Sequence, residues 1–140
     1  MRFFSRSLVF ALGLLVVTTS VAQATDLCVT AGASGITWVG KKFTIPPKNQ
    51  CKPFIGFRED ASYFLTGMGC TRADGGFLRL QFTETTTSAP ESTDSIFCGI
   101  PLPSLSGGSC VGTLLFLPNG VTSIAGSGDI SASRCTVNVP

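Results

Sequence analysis

The sequence predicts an all-β domain, a small disulfide-stapled β-sandwich or barrel, after an N-terminal signal peptide. Two observations carry the prediction of the fold class. The chain beyond its N-terminal segment is rich in Gly, Ser, Thr and β-branched residues, which form helices poorly. Short apolar runs are separated by turn residues, as is typical of sandwiches and barrels. We therefore expect a single β domain over residues 25–140.

The N-terminal segment has the three parts of a cleavable signal peptide. Arg2 and Arg6 supply positive charge, residues 8–17 form an apolar run of ten, and Ala22-Gln23-Ala24 has the small-x-small pattern of a cleavage site. A transmembrane helix needs roughly 20 apolar residues, so this run is too short for an anchor. We predict that residues 1–24 are removed, that the mature chain does not span a membrane, and that the product is secreted or periplasmic.

Six cysteines follow the signal, and an even number in an exported chain predicts three disulfides. Zinc and iron–sulfur sites need clustered ligands, whereas these cysteines lie 12 to 28 residues apart, without a CxxC pair and in a chain without histidine. We therefore expect no metal and no cofactor. The cysteines are Cys28, Cys51, Cys70, Cys98, Cys110 and Cys135.

The pairing of these cysteines is not determined by their number, because six allow many connectivities. Our hypothesis joins Cys28 to Cys135, Cys51 to Cys70 and Cys98 to Cys110. The first bond would connect the two ends of the domain.

The clearest strand lies at residues 77–84. Leu78, Leu80 and Phe82 face one way, while Arg79, Gln81 and Thr83 face the other, which is the period of a half-buried strand. Further candidate strands are residues 36–39, 43–45, 63–69 and 135–139.

Turn residues predict a hairpin at 111–125, with its turn at Pro118-Asn119-Gly120. A second turn is expected at residues 126–129. Residues 83–95 are polar and acidic and lack a large apolar side chain, so they are predicted to form a mobile loop. Residues 99–109 are rich in Pro and Gly and lie between two cysteines, so they form either a contact loop or a cap on the core.

The charges of residues 25–140 balance, with eight Lys and Arg against eight Asp and Glu. Their distribution is uneven: residues 25–58 carry five basic residues and one acid, while residues 59–140 carry three arginines and seven acids. A nucleic-acid-binding domain would show a basic excess overall, so we expect no nucleic-acid partner.

The absence of histidine excludes Ser-His-Asp and Cys-His catalysis, which need an imidazole. A pair of carboxylates that meet in space stays possible as a catalytic site. The candidates are Glu59, Asp60, Asp74, Glu84 and Asp129. The simpler interpretation leaves these acids on the surface for solubility.

Arg72 lies two residues after Cys70, in the sequence Cys70-Thr71-Arg72-Ala73. This tetrapeptide is similar to the local pattern of several families of standard-mechanism serine-protease inhibitors, in which a half-cystine rigidifies the loop that carries an exposed Arg or Lys. That likeness makes Arg72 a candidate inhibitor-loop residue. The prolines that follow in one such family are missing here.

A basic stretch with aromatic residues makes the other candidate site. Aromatic rings beside lysines suit sugars and anionic groups. The candidate binding residues are Trp38, Lys41, Lys42, Phe43, Lys48 and Lys52. In the simpler interpretation, Trp38 belongs to the core and the lysines protect an edge strand from aggregation.

These observations predict a small exported binding or structural module, without catalysis, of the cell envelope or extracellular space. Its partner would be an anionic envelope component, a polysaccharide or a protein. The alternatives are a small extracytoplasmic enzyme that uses carboxylates, and a serine-protease inhibitor.

Overall fold

The structure is a computed structural model, and it describes residues 25–32, 34–60, 62–86, 89–113 and 123–138, without the side chains of 89–92, 113 and 123–129. The signal peptide expected at residues 1–24 and the turn expected at Pro118-Asn119-Gly120 lie outside the described residues, and both stay predictions.

Eight antiparallel strands form a closed barrel, so the barrel rather than the sandwich is the architecture of this domain. Each strand pairs with the next along the chain, and β8 pairs with β1 to close the ring. Every β1 residue from Leu27 to Ala31 has a partner on both sides. The strands are β1 (Asp26–Ala31), β2 (Ile36–Gly40), β3 (Cys51–Arg58), β4 (Tyr63–Thr71), β5 (Phe77–Thr86), β6 (Ala89–Pro101), β7 (Ser106–Thr113) and β8 (Ser123–Cys135).

The alternation predicted at residues 77–84 is confirmed in β5. Leu78, Leu80 and Phe82 are buried, whereas Arg79 and Gln81 are exposed. A strand with one buried face needs this period of two, because successive side chains point to opposite sides of the sheet.

Aromatic side chains fill the barrel. Trp38 contacts Phe82 edge-on, with ring centroids 5.5 Å apart, and Phe54 lies 5.1 Å from Phe82. Edge-to-face contacts of this type are favourable beyond the area they bury. Around these rings, the core includes Leu27, Val29, Ile36, Leu65, Leu78, Leu80, Ile96, Ile100 and Ile130.

The three predicted disulfides are confirmed. Cys28 bonds Cys135, with Cα atoms 5.9 Å apart, and so joins β1 to β8 where the barrel closes. Cys51–Cys70 and Cys98–Cys110 each connect residues that lie directly opposite in neighbouring strands. None of the six cysteines is free.

Up-and-down connectivity gives the barrel two ends. The Phe43 end is formed by residues 41–50, 72–76 and 102–105 and by the C-terminal end of β8. The Arg58 end, opposite, holds the connections after β1 and β3. Phe43 itself closes its end, with its ring 5.3 Å from that of Phe54. Gly69 makes room for this ring, because a Cβ there would lie 2.6 Å from Phe43 Cζ.

The described part of residues 83–95, namely 83–86 and 89–95, forms strands rather than the predicted loop. They extend β5 to Thr86 and begin β6 at Ala89, with Thr83–Thr85 in register with Thr93–Ser95. Threonine is β-branched and favours strands. Glu84 and Asp94, the acids that suggested a solvated loop, are buried beside Arg58.

Three smaller predictions are also corrected. Residues 43–45 are not a strand, because β2 ends at Gly40 and Lys42 takes a φ of 50°. Residues 136–138 lie beyond β8 rather than in a strand. Residues 126–129 are no turn but part of β8, opposite the irregular register of β7 between Ser106 and Ser109.

Between Cys98 and Cys110, Leu102 and Leu105 pack against the core, as the cap interpretation expects.

Candidate functional site

The barrel separates its charges along its axis. Of the eight Lys and Arg in residues 25–140, only Arg58 lies at the Arg58 end. The other seven lie at or near the Phe43 end, where the acids among the described side chains are Asp26 and Asp74. The seven are Lys41, Lys42, Lys48, Lys52, Arg72, Arg79 and Arg134. The Phe43 end is therefore strongly cationic, although the domain as a whole is neutral.

Two of the predicted binding residues do not reach the surface. Trp38 is 0% exposed and Phe43 is 2% exposed, and both contact other core aromatics. Neither ring can stack on a sugar from solvent. The core interpretation of Trp38 is thus the one that its burial supports.

Three of the predicted lysines do converge. Lys41, Lys42 and Lys52 line a concavity of about 280 Å³, together with the largely buried Phe43 and with Thr44, Pro53 and Ile55. We call it the lysine pocket. It lies where β3 extends beyond β2, since the register between these strands covers only residues 38–40 and 56–58. Lys52 and Pro53 are the second and third residues of β3, where residues of these types discourage pairing with another chain.

Asp26 fixes one wall of the lysine pocket. Its carboxylate accepts hydrogen bonds from Lys41 Nζ at 2.9 Å, the backbone N–H of Lys42 at 3.0 Å and that of Val137 at 3.0 Å. Burial alone raises the pKa of Asp26, but these hydrogen bonds outweigh it and hold the pKa below the ordinary value of 3.8. Lys41 is consequently a structural cation, while Lys42 and Lys52 have no ion-pair partner among the described residues.

The substitution Asp26→Asn should lower the free energy of unfolding at pH 7 by about 1–3 kcal/mol, because a buried carboxylate that accepts charged and backbone donors is lost. A folded-state pKa below the ordinary one means that this stability is present above pH 3.8 and disappears as the pH falls through the folded-state pKa. Urea unfolding should therefore show the difference between wild type and D26N shrinking at acid pH. Glu59→Gln, which removes an exposed acid, is the control; a D26N deficit that stayed constant to low pH would contradict the assignment.

Lys48 lies apart from the other three lysines. It lines a different concavity, near Thr71, Gly75 and Arg134. The basic stretch of the sequence therefore divides into two places on the surface.

Arg72 is folded back onto its own turn. Its guanidinium donates to both carboxylate oxygens of Asp74, at 2.9 and 2.7 Å, and lies 4.9 Å from the centre of the Phe77 ring. The side-chain hydrogen bond from Arg72 lowers the pKa of Asp74 to about 2. The Arg72 backbone N–H also donates to Phe77 O, so the residue belongs to a tight hairpin.

The Arg58 end holds a buried charge cluster that the sequence analysis missed. Arg58 Nε and Nη2 both donate to the carboxylate of Glu84, with Nη2 2.9 Å from Oε2, and Nη2 lies 3.8 Å from Asp94 Oδ2. The guanidinium also lies 3.8 Å from the centre of the Tyr63 ring. Glu84 and Asp94 are 0% exposed. Only Glu84 of this cluster was among the predicted carboxylates.

The alternation of inward-facing and outward-facing residues along β5 and β6 already indicated that these acids face the interior. On β5, Glu84 is an even number of residues from the buried Leu78, Leu80 and Phe82, so it points to the same side of the sheet. On β6, Asp94 stands in the same relation to the buried Ile96. Of the other predicted acids, Glu59 and Asp60 are exposed, Asp74 is held by Arg72, and the side chain of Asp129 lies outside the described ones.

The described residues contain no group of three or more His, Cys, Asp or Glu that could hold a metal ion. Over the same part of the chain, no helix is long and apolar enough to cross a membrane. Comparison of the chain with protein-family models, with curated proteins and with solved structures finds no match.

Proposed function

We propose that this protein is an exported, non-catalytic binding module of the cell envelope or extracellular space, whose partner is an anionic polysaccharide bound at the lysine pocket. The observation that carries the proposal is the collection of seven of the eight cations at the Phe43 end. Because the domain has no net charge and its cations are collected at one end, an extended anion is attracted to that end rather than to the whole surface.

Export is supported by the disulfides as well as by the N-terminal pattern. Three disulfides connect the described strands. Such bonds persist in oxidising compartments and are rare in the cytosol. We place the mature chain, residues 25–140, in the periplasm or outside the cell.

Binding on the outside of the barrel is favoured by the packing of its interior. Trp38, Phe54 and Phe82 fill the centre, and Phe43 closes one end. The enzyme alternative receives less support, because Glu84 is already bound by Arg58 at two points. The inhibitor alternative also receives less, because Arg72 is engaged by Asp74 rather than projecting from its loop.

The test uses polygalacturonate, a carboxylated polysaccharide, with neutral dextran as the comparison. Replacing Lys42 and Lys52 together by Gln should weaken binding about tenfold at low salt, since the two exposed lysines lose their attraction for the polymer. Wild-type binding should itself fall as salt rises, because the Debye length shrinks from about 10 Å at 0.1 M to about 3 Å at 1 M. Isothermal titration calorimetry measures both effects.

A variant of unchanged net charge separates location from total charge. Adding Glu59→Lys at the Arg58 end to K42Q/K52Q restores the wild-type net charge but not the lysine pocket. We expect the triple variant to bind as weakly as the double one. Recovery of wild-type affinity in the triple variant would show that net charge, not the position of the lysines, determines binding of polygalacturonate. Binding of dextran with the same affinity as polygalacturonate would also contradict the proposal.

A further inference from the structure

The Phe43 end carries a second concavity, which we call the cap groove. It measures about 440 Å³ and lies between residues 45–48 and the 102–105 turn. Its walls are mostly apolar, from Ile45, Pro46, Leu102 and Leu105, and its two cations are Lys48 and Arg134. It has no lining residue in common with the lysine pocket.

Both walls of the cap groove are held by hydrogen bonds to strands. On one side, Thr71 Oγ1 donates to Pro46 O at 2.6 Å, and Asn49 N donates to Thr71 O at 2.9 Å. On the other side, Leu105 N donates to Pro101 O at 2.9 Å, and Ala132 N donates to Leu105 O at 3.0 Å. The groove is therefore formed before any ligand arrives, which is the usual state of small-molecule sites.

The backbone conformation of Leu105 is a second indication that the groove is a preformed binding site. Its φ of 62° lies in the left-handed region, which a leucine rarely adopts. Such conformations persist where the surroundings hold them, and they cluster at ligand sites. Here the strained residue directs a half-buried apolar side chain into the lining of the groove.

The charges in the groove are of one sign. No Asp or Glu belongs to its described lining, and Asp74, on the neighbouring turn, is bound to Arg72. Arg134 Nη1 donates to Phe43 O at 3.1 Å, which leaves other guanidinium N–H groups to donate elsewhere. The stem of Lys48 lies over Gly75, where a Cβ would be 3.0 Å from Lys48 Cε.

We infer that the cap groove binds a small amphiphilic anion, a carboxylate carried on an apolar body. The apolar body lies against Ile45, Leu102 and Leu105. The carboxylate is met by the ammonium of Lys48 and the guanidinium of Arg134, whose planar fork suits two oxygens. This site has no lining residue in common with the lysine pocket, so its failure and the failure of the proposed polysaccharide site are distinguishable.

The first test compares three ten-carbon probes that differ only in the head group: decanoate, decanol and decyltrimethylammonium. Titrations of the folded protein, followed by NMR of the methyl groups, should show decanoate shifting the Ile45, Leu102 and Leu105 signals. Decanoate should bind about tenfold or more tightly than the cationic probe, because only the anion gains from the two cations. Equal affinities, or shifts confined to Met68 and Val111 on the exposed outer wall, would overturn the inference.

The second test uses variants matched in charge. Lys48→Glu should weaken decanoate binding about tenfold or more, whereas Arg79→Glu, the same change in charge near the same end but outside both concavities, should leave it nearly unchanged. Leu105→Asn, which keeps a residue that tolerates positive φ, should weaken decanoate and decanol alike. Thermal unfolding confirms that each variant is folded. Equal losses in K48E and R79E would show a general charge effect and would overturn the site.

Discussion

Replacement of Arg58 by alanine is expected to lower the free energy of unfolding by about 3–5 kcal/mol, which is the range for breaking a buried ion pair by removing one partner. Glu84 and Asp94 are both 0% exposed, and Arg58 is the cation that faces them. Without the guanidinium, two carboxylates in one low-dielectric site would repel each other and lack a counter-charge. Urea unfolding at pH 7 measures the loss.

Two companion variants test this explanation. Arg58→Lys keeps the charge but loses the two-point contact with Glu84, so its stability should lie between wild type and R58A. The neutral triple variant R58M/E84Q/D94N removes all three charges and should recover much of the loss, since buried ion pairs contribute little net stability. An R58A deficit below about 1 kcal/mol, or a triple variant less stable than R58A, would show that the cluster is not an electrostatic unit.

Removal of the Cys28–Cys135 disulfide by paired alanine substitutions is expected to destabilise the domain by about 4–5 kcal/mol. The bond spans a sequence separation of 107, so in the chain-entropy model it restricts the unfolded state most. It also joins β1 to β8, the seam that closes the barrel. In a domain whose total stability is of order 5–15 kcal/mol, this loss should shift the urea midpoint severely.

The matched control is the pair C51A/C70A. This bond spans a sequence separation of 19, and the same model assigns it about 3 kcal/mol. Both of its cysteines are at least partly exposed, as are Cys28 and Cys135, so loss of buried side chains does not dominate either comparison. A larger loss in C51A/C70A than in C28A/C135A would contradict the entropic explanation.

Local sequence patterns predicted the existence and the buried face of an individual strand better than the residue at which that strand ends. The alternation of Leu78, Leu80 and Phe82 identified the inward face of β5 correctly, because a period of two is imposed by backbone geometry. The same alternation continues to Glu84, but the polar and acidic composition of residues 83–95, without a large apolar side chain, predicts a loop there. Only the presence of Arg58 on a different strand explains why that strand continues to Thr86.

The candidate binding residues show the same limit. Sequence proximity grouped Trp38 and Phe43 with the lysines, yet the two aromatics face the core while Lys42 and Lys52 face solvent. The burial of Phe43 could not be read from its neighbours in sequence, because the loop 41–50 has no regular period. Lys48, in the same loop, joins Arg134 instead, which lies 86 positions later in the chain.

The sequence by itself determined the all-β class, the inward face of β5 and a hypothesis for the three disulfides that the structure confirms. The fold class and the inward face of β5 follow from residue propensity and alternation, which are properties of short stretches of chain. The disulfide hypothesis follows from the number and positions of the cysteines, two of which lie at the ends of the domain. The tertiary structure alone decided that the sheet closes and that the cations meet. In an up-and-down barrel, every second connection returns to the same end. Residues near positions 42, 72, 103 and 134 therefore converge there, and no local pattern specifies that order of strands.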